Sequence, residues 1–346
     1  MHKNKKKGEK KMEKPYLVLE EELEEVEEKE KITKNIISWI FKNIKFLILP
    51  GSRIEELSAR QFEYEKNVSK RSLLRRLKNP LTILGFAVIL LIVTLAVYAP
   101  WLSPQSYADA MLVHSGSWNP PSPEYPLGRT AMGGDVLSRL IWGARTSLTI
   151  SLPSITLSVT GGVLFGIIAA YFGGWVDSLI MRICDIMLAF PSLILSLTLI
   201  FVFGGSIEII LLVWGFLGIP IYARLIRGNV LQARQLPYIE AARVSGAGSW
   251  RIMFRHILPN VIQPIIVFFT FDIGAYILGL AGLSFLGVNQ SIMIEWGNDI
   301  NVARENPYEA PWAGLWPGFM IFLTVLGFML VGDGIRDALD PRLKNL

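Results

Sequence analysis

LTILGFAVILLIVTLAVYAP, residues 81–100, runs for twenty residues without a charge. A helix needs about 20 largely apolar residues to cross a hydrocarbon layer roughly 30 Å thick, because every backbone N–H and C=O must be paired inside the segment there. The stretch therefore predicts a membrane-crossing helix, and with it an all-α membrane protein. Further along the chain, comparable runs at 148–172, 186–203, 208–226, 261–286 and 312–331 predict a six-span helical bundle over residues 80–346. Gly162 and Gly166 in the second run, and Ala275, Gly279 and Gly282 in the fifth, are small enough to let helix backbones approach, which predicts close packing of the spans.

What precedes the first span is a different material. The first 79 residues hold 20 Lys+Arg and 14 Asp+Glu, which leaves 14 and 15 for the other 267, and no lysine occurs between Lys78 and Lys344. With 51% hydrophobic residues and a mean hydropathy of +0.41, the chain is not an ordinary soluble enzyme. The basic surplus belongs to the front and is not a nucleic-acid surface. Residues 1–31 are Lys- and Glu-rich and cannot bury enough surface to offset their ordering entropy, so they read as a charged, disordered cytoplasmic tail. Over 32–79 the reading is an amphipathic extension. Lys34, Ser38, Lys42 and Lys45 share one helical face, and Ile36, Ile37, Ile40, Ile44, Leu47 and Ile48 cover the rest. Such a helix lies in the membrane interface, against membrane lipid, or packs on the body or a partner.

Orientation follows from where basic residues flank the spans. Residues 66–79 hold six basic and no acidic residues, and residues 224–255 hold six arginines against Glu240. By contrast, 101–138 carries Asp109, Glu124 and Asp135 against Arg129, and 287–311 carries four acids against Arg304. An even number of spans puts the two basic segments on one side. A multi-pass protein of the cell membrane is predicted, with N- and C-termini cytoplasmic.

Few residues here could do chemistry. The one cysteine, Cys184, cannot form an internal disulfide, and the three histidines, His2, His114 and His256, lie far apart. No catalytic residue and no metal site is assigned, and Asp185 is expected to pair with Arg182. A carboxylate near mid-span, as Asp272 would be, costs roughly 2.5–3.5 kcal/mol on insertion scales, so it should face the bundle interior or a watery path. Two roles follow for Asp272: lining a translocation pathway, or a hydrogen bond to a neighbouring permease.

The most informative loop is residues 234–260, which include YIEAARVSGAGSWRIMFRHILPN at 238–260. Glu240, Ala241, Ala242 and Arg243 favour helix, Gly246 and Gly248 interrupt it, and Ser249 can cap a second helix through Trp250 to His256. Two short helices at a glycine hinge make a compact projection suited to docking. The pattern Glu240, Ala241, Ala242, then Gly246, then Leu258 and Pro259, resembles the EAA loop of permease subunits of binding-protein-dependent ABC importers. PLGRTAMGGDVLSRLIWGARTSL (126–148), DIMLAFPSLIL (185–195), AGLSFLG (281–287) and VGDGIRDALDPR (331–342) are similar to the C-type permease of the dipeptide, oligopeptide and nickel branch. The chain departs from that branch at Tyr125, Arg129, Thr130 and Gly134.

The resemblance implies a type I importer permease fold whose EAA loop is a coupling helix, with Glu240, Ala241, Ala242, Arg243, Gly246 and Ala247 at the ATPase contact. No G-x-x-x-x-G-K-[ST] phosphate loop occurs, so ATP and Mg belong to partner subunits and this chain carries no cofactor and is not itself an enzyme. The implied partners are a homologous second permease in a heterodimer, two ATP-binding subunits and an extracellular or periplasmic solute-binding protein. The implied cargo is peptides or similar small oligomers, with oligosaccharides or nickel as alternatives. A reading of another class is a self-sufficient secondary transporter or channel using Asp272 for proton coupling, which would have no use for the EAA loop.

Overall fold

A computed structural model of the chain describes residue 77 and residues 79–288 and 293–339. The tail and the amphipathic extension read from the sequence lie outside the described residues, Leu77 and Asn79 apart. The described chain is helical, and the sole β-type pairing among the described residues is an isolated antiparallel bridge between Arg129 and Asp135.

The first helix, α1 (Pro80–Val97), opens with Asn79 Oδ1 accepting the Leu81 N–H at 3.2 Å and Pro80 at its first position. Two short helices, α2 (Ala99–Leu102) and α3 (Tyr107–Met111), lead into a looped cap that ends at Asp135. Helix α4 (Val136–Phe172) follows, then α5 (Gly174–Leu188), α6 (Ser192–Phe203) and α7 (Ile207–Ala233). A hook is built from α8 (Pro237–Val244), α9 (Ser249–Arg251), a π-helical turn (Ile252–Ile257) and α10 (Leu258–Val261). The chain returns as α11 (Gln263–Phe285), makes the short α12 (Trp296–Ala303) and finishes as α13 (Trp312–Leu339).

Among the described residues five helices, α1, α4, α7, α11 and α13, are long and apolar enough to cross a membrane, and the α5–α6 pair brings the total to six if it counts as one span. That pair differs from the straight run expected at 186–203. Its two members meet at 86° across Pro191. Proline lacks an N–H and disfavours helical backbone at the residue before it, so the helix stops and restarts. At 1.5 Å per residue, helices of 15 and 12 residues each fall short of the roughly 30 Å layer.

The second span also differs, starting at Val136 rather than 148. A hydropathy reading stops at Arg139 and Arg145, but Asp135 caps the helix by accepting the Leu137 and Ser138 N–H groups at 3.3 and 2.9 Å. Likewise α7 runs on past 226, because Arg227 finds Asp177 on α5.

Small residues set the helix spacing. A Cβ on Gly162 would come within 2.3 Å of the Tyr222 Cβ, and one on Gly166 would meet the Ala223 carbonyl oxygen at 2.5 Å, so α4 and α7 touch backbone to backbone. In α11 the expected trio divides. Gly279 lies against Trp214, whereas Gly282 has nothing within 4 Å and Ala275 is exposed. The main core gathers Ile155, Ile167, Tyr222, Ile226, Ile265 and Ile277, all buried, from α4, α7 and α11. Gly166→Leu should therefore force α4 from α7 and cost about 1–3 kcal/mol as an overpacked core does; thermal unfolding of the detergent-solubilised protein should show a clearly lowered midpoint.

Candidate coupling hook and the polar ties around it

The hook is anchored from below and open above. Ile239, Ile252, Met253 and Ile257 are buried to within 1% of complete and belong to the main core. Helix α8 ends in a turn in which Gly246 N–H donates to Arg243 O at 3.0 Å and Ala247 N–H to Ala242 O at 3.1 Å, with Gly246 at φ +78°. That left-handed backbone is nearly free for glycine and strained for any side chain, which is why a glycine follows the helix here. Ser249 is the first residue of α9 and makes no cap; Gly248 holds the capping position. The second helix of the hook passes at Ile252 into a π-helical turn, a geometry that is rare and frequent at functional sites.

Of the six residues expected at the contact, the structure exposes Glu240, Ala241, Arg243 and Gly246. Ala242 and Ala247 are half-buried and pack on the core, so they support the hook rather than present it. The sequence reading passed over Val244, which is 90% exposed at the tip. It also passed over Trp250, which is exposed and stacked on Phe254 with ring centroids 5.5 Å apart and planes 9° from parallel. An apolar tip flanked by an acid and a base is a surface that water solvates poorly and a partner can cover.

Asp272 has a partner within its own chain. The Tyr222 hydroxyl on α7 donates to Asp272 Oδ2 on α11 at 2.8 Å, and one turn on, Tyr276 and Ser158 share a hydrogen bond of 2.5 Å that reaches α4. Asp185 pairs with Arg224 at 2.5 Å rather than with Arg182, because α7 packs beside α5 and brings Arg224 to it. Arg227 engages Asp177 with two bonds of 2.6 and 2.7 Å, and Arg234 donates to the Ala170 carbonyl at 2.7 Å. These ties hold the bent pair and α4 to α7.

A second polar cluster sits at the end of α11 remote from the hook. Glu295 is almost wholly buried and caps α12, accepting the Gly297 and Asn298 N–H groups at 2.7 and 3.2 Å. Trp296 is fully buried, donates to the Leu140 carbonyl at 3.0 Å and lies where a Cβ on Gly143 would have to go. A Cβ on Gly297 would collide with the Ala281 carbonyl. Asp299, on the same helix, takes a fork from Arg139 at 2.9 and 2.5 Å, and Arg139 also donates to Ala110 O at 2.8 Å. Helix α12 is thus pinned to α4 and α11 by one tryptophan, two carboxylates and an arginine, none of which the sequence reading singled out. Only the acidity of residues 287–311 hinted at them.

The long apolar helices and the in-chain pairing of charge define an integral membrane protein built as a helical bundle. Residues 162–345 match the family model for the binding-protein-dependent transport system inner membrane component, and residues 69–121 match that for the N-terminal TM domain of oligopeptide transport permease C. The dipeptide transport system permease protein DppC of Alkalihalophilus pseudofirmus is 42% identical over 269 residues, covering 78% of this chain and 88% of the relative. The glutathione transport system permease protein GsiD of Pectobacterium atrosepticum is 40% identical over 275 residues, covering 78% of this chain and 90% of the relative. The chain belongs to the binding-protein-dependent transport system inner membrane components, the permease subunits of ABC importers.

Burial raises the Glu295 carboxyl to about 7, against hydrogen bonds from Ser284 and from the Gly297 and Asn298 amides that lower it and a nearby Asp299 that raises it further. The folded protein then holds a proton that the unfolded chain has released. Its stabilising contribution is complete below about pH 4.5 and is lost as pH rises to about 7. Thermal unfolding midpoints should fall across that window, and Glu295→Gln, which cannot ionise, should remove the part of the slope due to this group.

Proposed function

We propose that the chain forms half of the transmembrane pathway of an ATP-driven importer and takes its energy through the hook. The observation that carries this is an apolar tip, Val244, exposed at the left-handed Gly246 turn on a base of wholly buried Ile239 and Met253. A rigid projection on a buried base passes force into the spans as a body, whereas a loose loop would absorb it. Glu240 and Arg243 supply polar pairing to the partner's groove, and Ala241 allows close approach. ATP and Mg are bound by two partner ATPase subunits, and a homologous permease completes the pathway as a heterodimer. A solute-binding protein delivers the cargo to the opposite face.

In this reading the hook, the N-terminus and the C-terminus are cytoplasmic, the cap and α12 lie outside, and the protein resides in the cell membrane. Residues 1–31 are a cytoplasmic tail, 32–79 an interfacial extension and 80–346 the permease domain. The cargo is a peptide or similar small oligomer, in keeping with the dipeptide and glutathione permeases among the relatives. Asp272 ties α7 to α11 beside the pathway through Tyr222, a role that needs no proton coupling.

Gly246→Asp or Glu240→Lys should abolish uptake and ATPase association while leaving the chain in the membrane at ordinary levels. Co-purification of the ATPases with wild-type yield and persistent uptake would show that the hook is not the docking surface.

A further inference from the structure

Asp272 stands near the middle of α11, where a carboxylate is expensive and marks a polar partner or a transport path. Tyr222 donates to its Oδ2 at 2.8 Å, but a neutral hydroxyl leaves the charge uncompensated, and Asp272 enters no ion pair among the described residues. Its other oxygen, Oδ1, accepts no hydrogen bond there either, and the chain does not seal it from its surroundings.

The face of α11 beside this oxygen is bare. Phe268, one turn before Asp272, is 37% exposed, Ala275, three residues after it, is exposed, and Gly282 has nothing within 4 Å. An open groove of about 520 Å³ is lined by Gln263 and Pro264 at the start of α11 and by Phe268 and Phe271 further along, the last of them next to Asp272 in the chain. Its volume lies within the roughly 300–1,000 Å³ of sites that hold small ligands. Lipid does not suit this face, because it would leave Oδ1 unpaired in hydrocarbon.

What the site lacks is a positive charge that carries donors. Phe268 offers such a cation an exposed ring, packed edge-on against Tyr222 with centroids 5.3 Å apart and planes at 68°. A metal ion has no ligand set there, since no group of three His, Cys, Asp or Glu occurs among the described residues. A guanidinium is matched best by two open carboxylate oxygens, and Tyr222 occupies one. A single open oxygen beside an aromatic ring suits a primary ammonium.

We propose that Asp272 Oδ1 receives the terminal ammonium of a peptide as it passes α11, while Tyr222 holds the carboxylate in place. The proposal rests on the reading that the chain passes peptides. Asp272 then sets specificity: a peptide whose amine is blocked finds no match at this point.

The test uses the whole importer in lipid nanodiscs without its binding protein, irradiated with a dipeptide carrying a diazirine analogue of leucine. The probe is applied once with a free amine and once N-acetylated, and adducts on α7 and α11 are mapped by mass spectrometry. The free-amine probe should label at least about tenfold more, the worth of one hydrogen bond to a charged group. Asp272→Asn, which keeps an acceptor for the Tyr222 hydroxyl and removes the charge, should level the two probes. Ala275→Lys, which brings an ammonium of its own within one turn of the carboxylate, should do the same. Tyr222→Phe removes the tie, keeps the charge and should retain most of the preference. Co-purification of the ATPases and the second permease checks that each variant assembles. Equal labelling by the two probes in the wild type, no labelling of either helix, or a preference that survives both Asp272→Asn and Ala275→Lys would overturn the site. Equal labelling together with loss of the second permease from Asp272→Asn would place the carboxylate against a basic group of that subunit instead. Uptake measured in parallel separates the two readings: peptide uptake without the amine preference sinks the site alone, and the preference without uptake upholds the site and sinks the transport reading.

Discussion

Charge withdrawn from water has to be paired within reach, and in this bundle that constraint sets which helices meet. Arg139 finds Asp299 and so ties α4 to α12; Arg227 finds Asp177 and so ties α7 to α5; Asp272 finds Tyr222 and so ties α11 to α7. Removing one partner of the buried Arg139–Asp299 pair would leave an uncompensated charge, at a cost of about 3–5 kcal/mol. The pairs are therefore best understood as register marks. The glycine contacts between α4 and α7 fix the same register. Arg224–Asp185 is the exception, since both side chains are about half exposed and such a bond contributes little.

The two ends of the bundle treat polar groups in opposite ways. At the cap, Glu295, Trp296 and Asp299 are driven inward and satisfied, so that an eight-residue helix, far too short to be stable alone, is fixed in place. At the hook the fixed part is apolar and underneath, while Glu240, Arg243 and Val244 point away from it. A pinned cap suits a surface that receives cargo, and a rigid hook with an uncovered tip suits one that receives force. The π-helical turn at Ile252–Ile257 leads through α10 to α11.

Much of this was legible in the sequence because long apolar runs report segments that leave water, whether for lipid or for protein. The first span, read at 81–100, falls within a few residues of α1 (Pro80–Val97), and the glycines marked the turn in the hook. The extent of α4 and α7 was not legible, since Arg139 and Arg227 end an apolar run on paper, and only the fold brings Asp299, 160 residues away, to neutralise the first. Pro191 was in plain view, but proline in a span can kink or break it, and the 86° bend needs the packing of α5 against α7 to be seen. The pinning of α12 was hidden for a related reason. Glu295-Trp296-Gly297 has no periodicity of its own and gains meaning from Gly143 and Ala281 on other helices. At the hook the pattern located the surface but could not say that Ala242 and Ala247 face inward while Val244 faces out.

The central claim, that the hook and not the cap meets the ATPases, is tested most directly by site-specific cross-linking in the assembled importer. With Cys184 replaced by serine, a single cysteine is placed at Val244 or at Val113, which are 90% and 76% exposed on the hook and the cap. The claim predicts a cross-link to an ATPase subunit from Val244→Cys and none from Val113→Cys. An ATPase cross-link from the cap position, with none from the hook, would contradict it.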